Sequence, residues 1–137
     1  MDMEIRFPGN RRVDAEFQGF TIKTDQSVAD GGEASAPSPM ALFLASISTC
    51  AGMYVLGFCR SREIDAEGLT LGMDFQRNPD SHLVEKIVMR IGLPPGFPEK
   101  YEKSVVRAAE QCFVKKHLAK PPEFEIVTES AAPEAKP

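Results

Sequence analysis

Apolar and polar residues alternate along three short stretches at the start of the chain, 3–7, 13–17 and 20–24, the period-two pattern of half-buried strands. Pro8-Gly9-Asn10 and Gln18-Gly19 break the alternation with turn residues, so the pattern predicts an antiparallel meander with one apolar face. Over residues 25–37 only Val28 is large and apolar, which marks a long polar loop of the kind that often serves function. Leu69, Leu71, Met73 and Phe75 alternate again. After the turn Arg77-Asn78-Pro79-Asp80, Leu83, Ile87, Met89, Ile91 and Leu93 predict a second hairpin, closed by Pro94-Pro95. Pro98 and Glu99 open a helix. Its inward stripe is Tyr101, Val105, Ala108 and Cys112, at helical spacing. Past Pro121-Pro122, Phe124, Ile126 and Thr128 predict a last short strand, and residues 131–137 read as a disordered tail.

Between the meander and the second hairpin lies a different pattern. Residues 34–59 contain no charge, in a chain that is 26% charged. Ser38 supplies a capping oxygen and Pro39 the missing donor that suits a first helical position, so a helix is expected from about Pro39 to Arg60. Being apolar or small on every face, it requires burial on all sides. A membrane span of about 20 residues has the same length. Ser46, Ser48, Thr49, Gly52 and Gly57 dilute the hydrophobicity, and no basic cluster flanks either end, so a central helix wrapped by sheet is the better reading.

The expected order is βββ-α-ββ-α-β. Strands that cluster rather than alternate singly with helices define an α+β class with antiparallel sheets. The 137 residues suit a single domain, here residues 1–130. Six short strands are too few to cover so apolar a helix, which points to a homodimer. A net charge of -4 and pI near 5.2 argue against nucleic acid or an anionic membrane as partner. The polar start of the chain has no signal-peptide pattern, and three cysteines without framework spacing suit the reducing cytoplasm.

The candidate chemistry lies in those cysteines. Cys50 and Cys59 are nine residues apart on one helix, about 13 Å along its axis at ~1.5 Å per residue, too far to pair. Cys112 is the other possible partner of Cys50. Either the two form a redox pair, or all three cysteines pack as small hydrophobes. Lys115, Lys116 and His117 either lower a thiol pKa or form a solvated face. Cys59, near the negative end of its helix, reads as structural. There is no Cys-x-x-Cys pair, and His82 and His117 are isolated, so neither a metal nor another cofactor is expected.

The stretch APSPMALFLASISTC (36–50), with AAEQC ending at Cys112, resembles the OsmC/Ohr family of osmotically inducible and organic hydroperoxide resistance proteins, closest to its small OsmC-like branch. The resemblance implies an OsmC-like fold and an intertwined homodimer around the long central helices. It also implies a thiol peroxidase of oxidative stress defence, with Cys50 peroxidatic and Cys112 resolving. The substrate would be a small hydroperoxide and the partner a dithiol reductant, for example of lipoyl type. Peroxidase members carry a glutamate ten positions before the first cysteine, where this chain has Met40, and pair it with a hairpin arginine. Glu33, Arg11 and Arg12 are the candidates for those two roles here. The family often has proline after the second cysteine, and this chain has Phe113.

Overall fold

A computed structural model describes residues 2–131. The meander forms as expected, from β1 (Glu4–Gly9), β2 (Arg12–Phe17) and β3 (Phe20–Thr24), in that spatial order and antiparallel throughout. Register puts Ile5 against Ala15 and Ala15 against Ile22, which assembles the alternating apolar positions on one face. Gln18 and Gly19 both take positive φ, 50° and 81°, as a two-residue turn matched to the strand twist requires. The second hairpin pairs β4 (Thr70–Arg77) with β5 (Val84–Gly92), aligning Leu71 with Ile91, Met73 with Met89 and Phe75 with Ile87.

Helix α1 spans Pro39–Ser61. It starts where the sequence says, with Ser38 Oγ accepting from the Ala41 N–H at 3.2 Å. Its length and mean hydropathy of 1.8 would suit a membrane span. Here it is the core helix. The expectation of burial on every side holds for one stripe only: Leu44, Ile47, Ala51, Val55, Phe58 and Cys59 are buried, whereas Met53 is 71% exposed. One chain supplies packing partners on one side alone, the β4–β5 hairpin and the helical segments that follow it.

The second helix departs from expectation. A short 3-10 turn, Glu99–Tyr101, leads into α2 (Glu102–Glu110), and the chain then breaks at Gln111 and Cys112 before α3 (Phe113–Ala119). Cys112 is therefore not on a continuous helix. It is the residue that caps α3, although it does point inward as its spacing suggested. The core joins Ala51, Val55, Phe58 and Cys59 of α1 to Val105 and Ala109 of α2 and to Cys112. Fully burying a side chain such as Val55 or Val105 contributes about 1.5–3 kcal/mol.

The last strand expected at Phe124, Ile126 and Thr128 does not form. Residues 121–131 carry no regular structure, and Ile126 is 93% exposed. Alternation fixes which face a side chain would take, but a strand also needs an edge to pair with, and this segment pairs with none in its own chain. The tail expected over 131–137 lies, beyond Ala131, outside the described residues.

The loop that enters α1 is organised by Asp25. Its carboxylate has no exposed surface and accepts from the backbone N–H groups of Gln26 (2.7 Å), Glu33 (3.3 Å) and Ser35 (3.1 Å), and from the Ser35 hydroxyl. Its own N–H donates to the Pro37 carbonyl at 3.2 Å, closing the loop beside the start of α1. Gly32 is required here, because a Cβ would sit 2.1 Å from the Gln26 carbonyl oxygen.

Candidate active site

The break between α2 and α3 brings two thiols together. Cys50 lies mid-way along α1, half-buried, and Cys112 at the break is fully buried. The two thiols are close enough for each to act on the other's acidity. The break also creates donors. The first N–H groups of a helix have no acceptor inside it, and α3 turns those of Phe113 and Val114 toward Cys50. The third, of Lys115, donates to the Cys112 sulfur at 3.4 Å.

The two thiols are driven apart in acidity. The Val114 N–H lowers the Cys50 pKa, helped by the Cys112 thiol and the Phe113 N–H, against the opposing effect of burial. Burial raises the Cys112 pKa, and a neighbouring Cys50 thiolate raises it further. The Cys112 S–H points to the Ile47 carbonyl oxygen, 3.7 Å away, which suits a protonated thiol. Cys50 is thus the more acidic thiol of the pair and Cys112 the less acidic. Cys59 lies buried in the core, and burial pushes its pKa up.

Cys50 opens onto a cavity of ≈ 660 Å³ along α1, walled by Met53, Tyr54, Gly57 and Phe58 on one side and by Ala108 and Phe113 on the other. No charged residue lines it. The chemistry on offer is nucleophilic attack by sulfur inside a largely apolar cleft. Among the described residues, no three His, Cys, Asp or Glu side chains converge on a point that a metal would occupy.

The remaining sequence candidates lie elsewhere in the single chain. Arg11 and Arg12 line a second cavity of ≈ 580 Å³ with Asn10 and Asp30. The Arg11 guanidinium rests over Gly31, and Arg12 Nε donates to the Gly9 carbonyl at 3.4 Å. Glu33 is exposed on the polar loop, where its N–H, not its carboxylate, serves Asp25. Lys115 also acts through its backbone rather than its charge.

What the residue pattern did not reveal was the backbone donors. Nothing in Gln111-Cys112-Phe113 resembles a helix stop, with no glycine and no proline. The one signal was indirect: a proline after the second cysteine is a first-turn proline, which marks a helix start. Phe113 keeps the helix start and adds an N–H that proline lacks.

An α+β chain with a capped central helix, a three-stranded meander, a second hairpin and two neighbouring thiols at a helix break is a recognisable class. Residues 31–127 match the family model described as OsmC-like protein, and the chain belongs to that family. A comparison with curated sequences found no match. Solved structures share the fold. A putative osmotic stress induced and detoxification response protein from Psychrobacter arcticus superposes with a TM-score of 0.72 at 24% identity, covering 85% of this chain and 86% of that one. An OsmC-like protein from Mycoplasma pneumoniae gives 0.68 at 15% identity, over 88% and 87%. An organic hydroperoxide resistance protein OsmC from Legionella pneumophila gives 0.54 at 17% identity, over 86% and 89%.

Proposed function

We propose that this protein is a cysteine-based organic hydroperoxide reductase of oxidative stress defence, with Cys50 as peroxidatic and Cys112 as resolving cysteine. The observation that carries the reading is the opposed acidity of two adjacent thiols, the more acidic one opening onto an apolar cavity. Hydroperoxide resistance in an OsmC relative of the same fold supports it. The Cys50 thiolate attacks the outer oxygen of ROOH, the O–O bond breaks, and RO⁻ takes a proton to leave as ROH. Cys50 is then a sulfenic acid. The Cys112 sulfur displaces its hydroxyl, which leaves as water with the Cys112 proton, and a disulfide remains. A dithiol reductant, such as a lipoyl group, returns both thiols by exchange and becomes a disulfide itself.

The active form in this reading is a homodimer in the cytoplasm. Its support is the apolar surface one chain leaves open: Phe7 on the meander is 79% exposed and Phe20 65%, in addition to the outer face of α1. Arg11 or Arg12 of the partner copy would bring a cation to Cys50, and Glu33 would steady that arginine. Stoichiometric cumene hydroperoxide followed by peptide mapping tests the mechanism. A Cys50–Cys112 disulfide with free Cys59 is expected, and a bridge containing Cys59 would overturn it. The apolar lining also suits a dimeric protein that binds a small apolar ligand without catalysis. Three free thiols after excess hydroperoxide would establish that second reading instead.

A further inference from the structure

Helix α3 begins without the devices that usually fix a helix start. Its cap is the Cys112 sulfur, which accepts from the Lys115 N–H at 3.4 Å and is a weaker acceptor than a serine or aspartate oxygen. Its first position holds Phe113 rather than proline, and its first turn carries no acidic residue. At seven residues it is well below the length at which a helix holds itself together in water. Yet this start borders both thiols. Phe113 lines the cavity onto which Cys50 opens, and Cys112 is the cap itself. Val114 seats the same turn against the core, but another contact is needed to keep it wound.

His117, one turn on, supplies it. Its ring meets the Phe113 ring edge-on, with centroids 4.7 Å apart and planes at 80°. Its Nδ1 lies 2.8 Å from the Phe113 carbonyl oxygen. A carbonyl can only accept, so Nδ1 carries the proton in this contact, whether the ring is neutral or charged. One side chain thus holds both the ring and the backbone of the residue that opens α3, across the four-residue spacing at which helix side chains meet. Among the described residues, no other α3 side chain forms a hydrogen bond or a salt bridge.

We propose that His117 is a positioning residue for Cys50: it clamps Phe113, and with it the turn of chain that borders both thiols. His117 makes no hydrogen bond to either sulfur. It acts through the direction of the Phe113 and Val114 N–H groups and through the place of the Phe113 ring in the cavity wall. Because the clamp consists of the Nδ1–H and the ring contact, it does not depend on the charge of the imidazole. The role rests on the peroxidase reading for Cys50 as the reacting thiol, but the acidity of Cys50 is measured without a hydroperoxide.

The test is the pH dependence of iodoacetamide alkylation at Cys50, followed on its own peptide, in the wild type, His117→Gln and His117→Lys. In both variants the Cys50 midpoint should rise by about half a pH unit, the size of an exposed ring contact and hydrogen bond together, with the circular dichroism spectrum retained. Glutamine and lysine are better helix formers than histidine, so lost propensity cannot produce that rise. A rise in His117→Gln that is absent from His117→Lys would assign the effect to charge, and unchanged midpoints in both would leave His117 an ordinary surface residue. Either result overturns the clamp. Phe113→Ala, which keeps the backbone donors and loses the ring contact, should give a smaller rise in the same direction. The wild type offers a check that no variant's folding can spoil. In a long-range proton–nitrogen correlation spectrum the neutral His117 ring should carry its proton on Nδ1, and an Nε2–H tautomer would overturn the clamp. Midpoints that rise in a protein that reduces no hydroperoxide support the role of His117 while the peroxidase reading fails. Unchanged midpoints in an active peroxidase reject the role alone.

Discussion

Two places in this molecule turn backbone N–H groups toward an acidic side chain, and they come to opposite ends. At Asp25, three N–H groups and a hydroxyl surround a carboxylate and lower its pKa to about 2, the Ser35 hydroxyl contributing most. All its acceptor capacity goes to tying the 25–37 loop. At Cys50, the N–H groups of Val114 and Phe113 act on a sulfur that stays half-buried, with an apolar cavity in front and a second thiol beside it. The donors are alike and the physics is the same. The difference is whether the anion is enclosed by its donors or only backed by them. An enclosed anion is a structural tie, whereas one with an open side is a nucleophile.

The sharpest way to break this comparison is Cys50→Ser, which leaves the donors but removes the acidic group they act on. Hydroperoxide reduction should fall on the order of a thousandfold or more, with the circular dichroism spectrum retained. Cys112→Ser should be next in size. The first attack should persist, and sulfenic acid at Cys50 should accumulate and be trapped by dimedone, while turnover with a dithiol drops by roughly ten- to a hundredfold for lack of the internal disulfide. Retained turnover without accumulation would mean that external thiol, not Cys112, resolves Cys50.

Asp25→Asn tests the other side. It keeps the size of the side chain but removes the charge the loop encloses, so Tm should fall while the alkylation rate of Cys50 stays where it was. The pH dependence follows from the direction of the shift. The folded value of about 2 lies below the ordinary 3.8, so the tie is fully present above roughly pH 4 and is lost as pH falls through 2. Thermal melts from pH 5 to pH 2 should show that loss in the wild type and much less of it in Asp25→Asn. The smallest effect is within the thiol pair. Iodoacetamide should alkylate Cys50 with a pH midpoint below that of Cys112, and Arg11→Ala or Arg12→Ala should raise the Cys50 midpoint if the partner's arginine reaches it.

The elements that depend on neighbours in sequence are legible in the order of residues alone. Ser38-Pro39 starts α1 because capping is a bond between residues three apart. The Gln18-Gly19 and Arg77–Asp80 turns place both hairpins, and period-two alternation gives their register, since each depends on local geometry. That Cys59 cannot pair with Cys50 is legible from the fixed rise of the helix that separates them. What the tertiary structure decided was everything that needs a distant partner. The alternation of Phe124 and Ile126 did not become a strand, because ladder bonds come from an edge that no local pattern supplies. The second helix broke at Cys112 rather than running through it, and at the break the Cys112 thiol meets the Ile47 carbonyl of α1, a partner 65 residues away in sequence. From that break come the donors to Cys50, and a backbone N–H carries no sequence signature at all. The residues that can react are therefore written in the chain. Which of them holds its charge is decided by where a helix happens to begin in space.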